Sequence, residues 1–189
     1  MLKWVGALAI VAAAFFATLT VLNYWTESGA IRNLLREPRY DAATLPRLRA
    51  GQSLNFSGDQ NRSALLSGWA GAERSGVWSD GHAAFIGFVV DGGAGQGTPK
   101  AVVVRANVFV ELTKRQRVEV WSGGKRLAEY DLKDPSAELA VPLGGVSVGN
   151  GTPLVLAFYL PDAASPAKIR GGEDRRDLAL FILSLQLVP

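Results

Sequence analysis

Cysteine is absent from this chain of 189 residues, and histidine and methionine occur once each. Without cysteine the chain has no disulfide framework, no cysteine-ligated metal site and no cysteine nucleophile. An excess of charge of one sign is also missing, because 20 Lys and Arg stand against 17 Asp and Glu and form no basic block. This balance excludes the basic surface that is typical of nucleic-acid-binding proteins. The length fits one domain with an additional tail.

A long apolar run does occur, and it lies at the N-terminus. Trp4–Leu22 comprises 19 residues without a charge, which at about 1.5 Å rise per residue nearly crosses a hydrocarbon core of about 30 Å. Trp4 at one end and Tyr24 and Trp25 at the other resemble an aromatic belt. We therefore expect a single transmembrane anchor in residues 1–25. A cleaved signal peptide and a buried helix are the alternatives.

Residues 26–50 are predicted to form a linker or neck that is rich in arginine. Arg32, Arg36 and Arg39 follow the apolar run, and the positive-inside rule alone would place them in the cytoplasm. The strand-rich remainder of the sequence resembles an exported domain, so we expect it on the outer side of the membrane. The neck is interpreted as solvated, with contact to anionic lipid headgroups as the alternative.

Residues 51–189 predict an all-β domain. Short segments that alternate or are rich in β-branched residues are separated by turns with Gly, Pro, Asn and Asp, and no alternation of strands with helices is present. The pattern predicts an antiparallel β-sandwich, specifically a jelly roll similar to carbohydrate-binding modules. The predicted strands are 52–56, 63–69, 83–90, 101–112, 116–121, 125–132, 139–143, 153–160 and 177–188.

The residues that catalysis would require are sparse. His82 is the single histidine, and no G-x-S-x-G motif accompanies it. A pair of carboxylates for glycoside hydrolysis would have to combine Glu73 with Asp80 or Asp174. The Gly-rich stretch GGAGQG at 92–97 does not open a helix, so it does not indicate nucleotide binding. We expect no catalytic residues, no metal ion and no cofactor.

The stretch SGWAGAERSGVWSDG, at 67–81, is the candidate ligand site. Aromatic rings stack on the apolar faces of sugars, whereas sugar hydroxyls need charged or amide partners. Trp78 is predicted to be the exposed ring and Trp69 a core residue. The alternative is that both rings pack inside the sandwich and the charges cap turns. The residues proposed from this stretch are Trp69, Glu73, Arg74, Trp78, Ser79 and Asp80.

Two further candidates lie near the C-terminus. Asp174 and Arg176 are close enough to form a charge-assisted pair that holds their loop to the last strand. If the two loops share one end of the sandwich, this pair would also meet Glu73 or Arg74.

Together, the two segments resemble a β-sandwich domain found at the C-termini of bacterial envelope glycosyltransferases and phosphoglycerol transferases. The resemblance covers about residues 53–188 and rests on two sets of matching positions. They are Gly68, Trp69, Glu73, Gly76, Trp78, Ser79 and Gly81, and then Ser165, Pro166, Asp174, Arg176, Leu178 and Leu180. The hairpin 118–124 ends in Gly-Gly where the family has Asn-Gly, and Ala179 replaces the usual glycine.

This resemblance implies an envelope glycoconjugate context and a non-catalytic accessory module. The apolar run, the predicted β-sandwich and the aromatic, charged loop add the expectation of a single-span protein of the bacterial inner membrane whose periplasmic domain binds an envelope glycan or lipid-linked sugar. The alternative is an assembly subunit for a polytopic glycosyltransferase or polymer-export complex. Small residues in the apolar run favour close helix packing in that case: Gly6, Ala7, Ala9, Ala12, Ala13, Ala14 and Ala17. An enzyme that uses Glu73 or Asp174 is the third possibility.

Overall fold

The structure is a computed structural model that describes residues 29–92 and 98–189. The chain divides into two compact units at Leu34 and Leu35. In the first unit, residues 29–34 are helical. The predicted span Trp4–Leu22 lies outside the described residues. No helix within 29–92 and 98–189 is long and apolar enough to cross a membrane.

The second unit, Leu35–Pro189, consists mainly of β-strands in two sheets. In chain order the strands are β1 (Arg47–Leu48), β2 (Ser53–Asn55), β3 (Leu65–Ser67), β4 (Val77–Trp78), β5 (Ala83–Val90), β6 (Ala101–Val108), β7 (Gln116–Ser122), β8 (Lys125–Leu132), β9 (Ser136–Pro142), β10 (Pro153–Tyr159) and β11 (Leu180–Val188). Short 3₁₀ helices span Ala42–Thr44 and Arg62–Ala64, and a short α-helix, α1, spans Pro166–Arg170.

The first sheet has the order β1-β5-β10-β7-β8, with β3 also paired to β5. The second sheet has the order β2-β11-β6-β9, with β4 also paired to β11. Among the described residues, every strand pairing is antiparallel except that of β1 with β5, which is parallel. The purely antiparallel expectation is therefore corrected at this edge, where a segment assigned to the neck joins the sandwich. Leu48 of β1 is buried in the core.

The core lies between the two sheets and follows the alternation of the strands. Alternate residues of β5 and β10 meet those of β6 and β11, because successive side chains in a strand point to opposite faces. The core residues of these four strands are Ala84, Ile86, Phe88, Val90, Leu154, Leu156, Phe158, Val102, Val104, Ala106, Val108, Leu180, Ile182, Leu185 and Leu187.

Strand β5 is buried on both faces, which explains its continuous apolar sequence. On its outer face Phe85 packs with Val155 and Ala157 of β10 in a second cluster. A Cβ added at Gly87 would lie 2.9 Å from a side-chain carbon of Leu66 and 3.3 Å from one of Leu45. The first sheet is thus covered on its outer side over β5.

The hairpin that joins β7 to β8 confirms the turn expected from Ser122-Gly123-Gly124. Ser122 pairs with Lys125, and the two glycines between them have φ of +54° and +74°. Two positive φ values in a two-residue loop match the twist of the flanking strands, and glycine adopts them without a steric penalty.

Candidate functional site

The stretch 67–81 folds into a hairpin that lies along the edge of the second sheet. Trp69 and Ser79 form an isolated antiparallel bridge, and the amide of Ala70 donates to the carbonyl of Trp78 at 2.9 Å. At its tip the amide of Glu73 donates to the carbonyl of Gly76, also at 2.9 Å. The hairpin therefore holds Trp69 at its base, Glu73 at its tip and Trp78 on its returning strand.

Trp69 packs inward, as the sequence predicts. Its ring meets that of Phe158 edge to face, with 6.2 Å between centroids and an interplanar angle of 75°. Its indole nitrogen donates to the carbonyl of Phe85 at 2.8 Å. The side chain is half-buried against the core, so its chief contacts join the hairpin to the first sheet.

The side chains of Ser79 and Asp80 also accept hydrogen bonds from backbone amides of the same domain. Ser79 is fully buried, and its hydroxyl accepts hydrogen bonds from the amides of Ala179 at 3.2 Å and Leu180 at 3.0 Å. Asp80 is exposed, and its Oδ1 accepts from the amide of Asp177 at 3.1 Å. The Ser79 side chain is thus enclosed in the protein, whereas the Asp80 carboxylate keeps one oxygen without a described hydrogen bond.

Trp78 lies outside the core, on the outer face of the second sheet. It pairs with Phe181 of β11, and their ring centroids are 5.0 Å apart at an angle of 47°. Phe109, just after β6, meets the same indole edge to face at 6.1 Å and 85°. The two phenyl rings are buried and the indole is half-buried. The Trp78 ring is therefore held in a fixed orientation with part of its surface in contact with solvent.

Gly76 makes this aromatic packing possible. A Cβ at this position would overlap the carbonyl oxygen of Ile182 and would lie 2.9 Å from a ring carbon of Phe181. Only a residue without a side chain allows the hairpin to approach β11 so closely. This glycine thus positions the aromatic cluster of Trp78, Phe109 and Phe181.

The charged side chains of Glu73, Asp174 and Arg176, all predicted as site residues, lie together in the structure. Arg176 donates to Asp174 through Nε at 2.9 Å and through a terminal guanidinium nitrogen at 2.7 Å. Its other terminal nitrogen lies 3.6 Å from Oε1 of Glu73. The three side chains are 34% to 46% exposed. The two loops therefore do share one end of the sandwich, and the contact is with Glu73.

Arg176 also sets the ionisation of its partner. Hydrogen bonds from the Arg176 guanidinium lower the pKa of Asp174 below its usual value, and partial desolvation opposes this effect. A carboxyl that serves as a general acid in glycoside hydrolysis needs a raised pKa. Asp174 has the opposite environment, which disfavours that role.

Other polar contacts fix the loop that carries Asp174. The hydroxyl of Ser165 donates to the carbonyl of Asp174 at 3.0 Å, and the amide of Ala167 donates to the same oxygen at 2.9 Å. Lys168 of α1 pairs with Asp177 at 3.1 Å. The loop is thus closed against its own short helix before β11 begins.

Arg74 and His82 complete the predicted set of polar side chains. Arg74, next to the hairpin tip, is exposed and has no ion-pair partner among the described residues. The imidazole Nδ1 of His82 lies 3.0 Å from the carbonyl oxygen of Leu160. Within the described ranges, no three Asp, Glu, His or Cys residues are grouped so that they would hold a metal ion.

Sequence reasoning missed Phe109 and Phe181, which support Trp78. Each belongs to an apolar segment that reads as ordinary strand core, and only the pairing of β4 with β11 brings them beneath the indole. The alternation in β11 carries a partial signal, because Phe181 lies between the inward-facing Leu180 and Ile182 and must point outward.

No protein-family model matches this chain, and no curated protein matches it. Among solved structures, it is similar to an acetyl xylan esterase from the rumen bacterium Butyrivibrio proteoclasticus, with 15% identity, 74% of this chain and 34% of that chain covered, and a TM-score of 0.43. It is also similar to a family two carbohydrate esterase from Clostridium thermocellum in complex with cellohexaose (8% identity, 72% and 31% covered, TM-score 0.38). A third structure is that of CBM51 from Clostridium perfringens GH95 in complex with methyl-galactose (15% identity, 71% and 87% covered, TM-score 0.34).

The chain spans about a third of the length of the two esterases. At identities of 8% to 15% and TM-scores of 0.34 to 0.43, these similarities say nothing about the roles of individual residues. Nothing in these comparisons shows the glycosyltransferase accessory domain that the sequence motifs resemble.

Proposed function

We propose that this protein is a non-catalytic glycan-binding module of the bacterial envelope. In this proposal, residues 1–25 anchor it in the inner membrane, and the β-sandwich binds an envelope polysaccharide or lipid-linked sugar in the periplasm during glycan synthesis or export. The observation that carries the proposal is the half-buried Trp78 indole, which Phe109 and Phe181 support on the outer face of a sheet.

The geometry fits the chemistry of a sugar. A preoriented aromatic ring offers an apolar surface for the C–H face of a pyranose and loses little conformational entropy on binding. The same hairpin carries Glu73 at its tip, and Glu73, Asp174 and Arg176 are partly exposed. Together with Arg74 and Asp80 they supply hydrogen-bond donors and acceptors for hydroxyl groups. Trp69 and Ser79 support this surface from inside.

The test is isothermal titration calorimetry with the full-length protein and a panel of purified envelope polysaccharides from the host. The detergent must have a headgroup that is not a sugar, because glycoside detergents would compete for the site. Calorimetry is preferred to tryptophan fluorescence, since the decisive substitution, Trp78→Ala, also removes a fluorophore. We expect a saturable heat for the wild type and its loss in Trp78→Ala.

The matched control is Trp121→Ala. Trp121 is also half-buried, but it belongs to β7 of the other sheet and donates to Glu119 at 3.0 Å. Binding should persist in this variant, and Trp78→Phe should retain part of it. Equal binding by the wild type and a folded Trp78→Ala protein would show that the site is wrong.

An assembly role is the second candidate, and the small residues of the apolar run favour it. Residues spaced four apart, such as Ala9, Ala13 and Ala17, let helices approach closely. If the protein holds a polytopic glycosyltransferase or export partner, replacing the apolar run by polyleucine should abolish co-purification of that partner. Retention of the partner by the polyleucine variant would exclude a helix-mediated assembly role.

A further inference from the structure

A shallow depression of about 310 Å³ lies on the outer face of the second sheet. Its lining comes from strands β6, β9 and β11, and comprises Arg105, Ala106, Asn107, Ser136, Ala137, Glu138 and Leu183. The register of β11 shifts between Ile182 and Ser184, so Leu183 is the extra residue of a β-bulge. The depression is therefore a feature of the sheet itself and does not depend on loops.

The strand register places this depression beside Trp78. Trp78 pairs with Phe181, Phe181 pairs with Asn107, and Asn107 pairs with Ser136. Directly opposed residues of neighbouring strands share one face of the sheet. The four side chains thus form a single row across β4, β11, β6 and β9. At about 4.8 Å per strand, the row is about 14 Å long.

The row changes from apolar to polar along its length. It starts with the aromatic rings of Trp78 and Phe181 and continues to Asn107 and Ser136, which are both exposed. Neither the side-chain amide of Asn107 nor the hydroxyl of Ser136 has a hydrogen bond within the described part of the chain. On the same face, two residue pairs away along the strands, Arg105 donates through Nε to Glu138 at 2.9 Å. Side-chain donors and acceptors without a partner therefore lie directly beside the aromatic rings of Trp78 and Phe181.

The charges of this surface indicate what it binds. Arg105 and Glu138 neutralise each other, and their side chains are 64% and 57% exposed. Asn107 and Ser136 carry no charge. A surface without net charge that combines aromatic and hydroxyl-binding groups suits a neutral carbohydrate better than an anionic one.

We propose that the row from Trp78 to Ser136 binds a linear, uncharged oligosaccharide of at least two sugar units. One ring stacks on Trp78, and the following unit hydrogen-bonds to Asn107, Ser136 and the Arg105–Glu138 pair. This proposal rests on the proposed glycan-binding function and adds the class and the direction of the ligand. It extends the site from one corner of the sandwich to the face of a sheet.

The experiment uses the full-length protein in the same detergent and oligosaccharides released from the host's envelope polysaccharides by partial acid hydrolysis. These are fractionated by size, and anion-exchange chromatography separates neutral from anionic pools. We expect the affinity of the wild type for the neutral pool to rise about tenfold or more between one and three units. The anionic pool should bind more weakly than neutral oligosaccharides of the same length.

The decisive variant is Arg105→Ala with Asn107→Ala. Since each lost hydrogen bond to a ligand costs about fivefold in affinity, this double variant should bind the neutral trisaccharide fraction at least about tenfold more weakly. Its binding of monosaccharides should be unchanged. Arg126→Ala is the matched control, because Arg126 is an exposed arginine of the other sheet that pairs with Glu129 at 2.8 Å. It should bind every fraction like the wild type.

The outcomes separate the two proposals. If Trp78→Ala abolishes binding while the double variant binds the trisaccharide normally, the glycan-binding function stands and the extended row is wrong. If a folded Trp78→Ala protein binds every fraction like the wild type, the Trp78 site and the row that starts from it are both wrong. If the wild type binds none of the fractions, the glycan-binding function itself fails. A preference for the anionic pool would overturn the assignment of a neutral ligand.

Discussion

Ser79 and Leu180 are joined by two hydrogen bonds. The amide of Ser79 donates to the carbonyl of Leu180 at 2.7 Å, and the amide of Leu180 donates to the Ser79 hydroxyl at 3.0 Å. The same hydroxyl accepts from the amide of Ala179 at 3.2 Å. Two buried amides at the start of β11 thus depend on one side chain, and this side chain fixes the hairpin that presents Trp78.

Replacing Ser79 by alanine should therefore destabilise the domain. The amides of Ala179 and Leu180 would lose the acceptor that replaces water in the buried interior, which costs about 1–3 kcal/mol of unfolding free energy. Urea denaturation followed by circular dichroism measures this change. Ser75→Ala is the control, because Ser75 is exposed on the same hairpin and should change stability by less than about 0.5 kcal/mol. Equal midpoints for the two variants would contradict the structural role of Ser79.

Two separate structural constraints require glycine at position 68. Its φ is +77°, and an added Cβ would overlap the carbonyl oxygen of Ala83 in the neighbouring strand β5. Gly68→Ala must therefore both adopt a left-handed backbone and push the hairpin away from β5. We expect loss of the folded domain, or a fall in unfolding free energy of several kcal/mol, well above the cost of about 1–2 kcal/mol for the backbone conformation alone.

Gly51→Ala separates these two costs. Gly51 has a similar φ of +84°, but nothing lies within 4 Å of a Cβ built there. This variant should show only the conformational cost of about 1–2 kcal/mol, measured by the same denaturation. If Gly68→Ala were no more destabilised than Gly51→Ala, the close approach of the hairpin to β5 would be wrong.

The long strands could be predicted from the sequence because their patterns are local. The run Ala83–Val90 is bounded by turn residues on both sides and corresponds to β5 without error. The hairpin of β7 and β8 follows from Gly123 and Gly124, whose positive φ is a property of the turn alone. In each case, adjacent residues carry all of the information.

The short elements could not be predicted, because two residues do not establish a period. Strands β1 and β4 each contain two residues, and only their pairing with β5 and β11 defines them. Helix α1 lies between the predicted strands 153–160 and 177–188, in a segment for which the sequence predicts no helix. In five residues, hydrophobic periodicity gives no signal.

The same distinction divides the candidate site. The contact between Asp174 and Arg176 could be predicted, because the two residues are neighbours in sequence. The contact of Arg176 with Glu73 was predicted only on the condition that two loops distant in sequence meet at one end of the sandwich. The row from Trp78 to Ser136 was not predicted, since it depends on the register of four strands that are not consecutive in the sequence.

The pair of Arg117 and Asp162 provides a test through pH. The carboxylate of Asp162 accepts from the backbone amide of Arg117 and from Nε, both at 3.0 Å, and from a terminal guanidinium nitrogen at 3.1 Å. The side-chain hydrogen bonds from Arg117 lower the pKa of Asp162, although desolvation opposes them. This pair fixes the segment after β10 to strand β7.

The sign of the pH effect follows from the lowered pKa. An aspartate in the unfolded chain has a pKa of about 3.9, and the pKa of Asp162 in the folded protein is lower. The stabilisation is therefore fully present above about pH 4 and is lost as the pH falls through the lower pKa of the folded state. Asp162→Asn lacks this contribution at every pH. The difference in unfolding free energy between wild type and variant should thus be largest near pH 7 and should shrink toward pH 2.

Urea denaturation at pH 7, 4 and 2 measures this difference directly, because the pH effects of all other groups cancel between the two proteins. Asp59→Asn is the control, since the Asp59 side chain is 91% exposed and lies 4.0 Å from its partner Arg62. An exposed pair at this distance contributes little, so this variant should follow the wild type at each pH. A difference between wild type and Asp162→Asn that stayed constant from pH 7 to pH 2 would show that the Asp162 charge does not stabilise the fold.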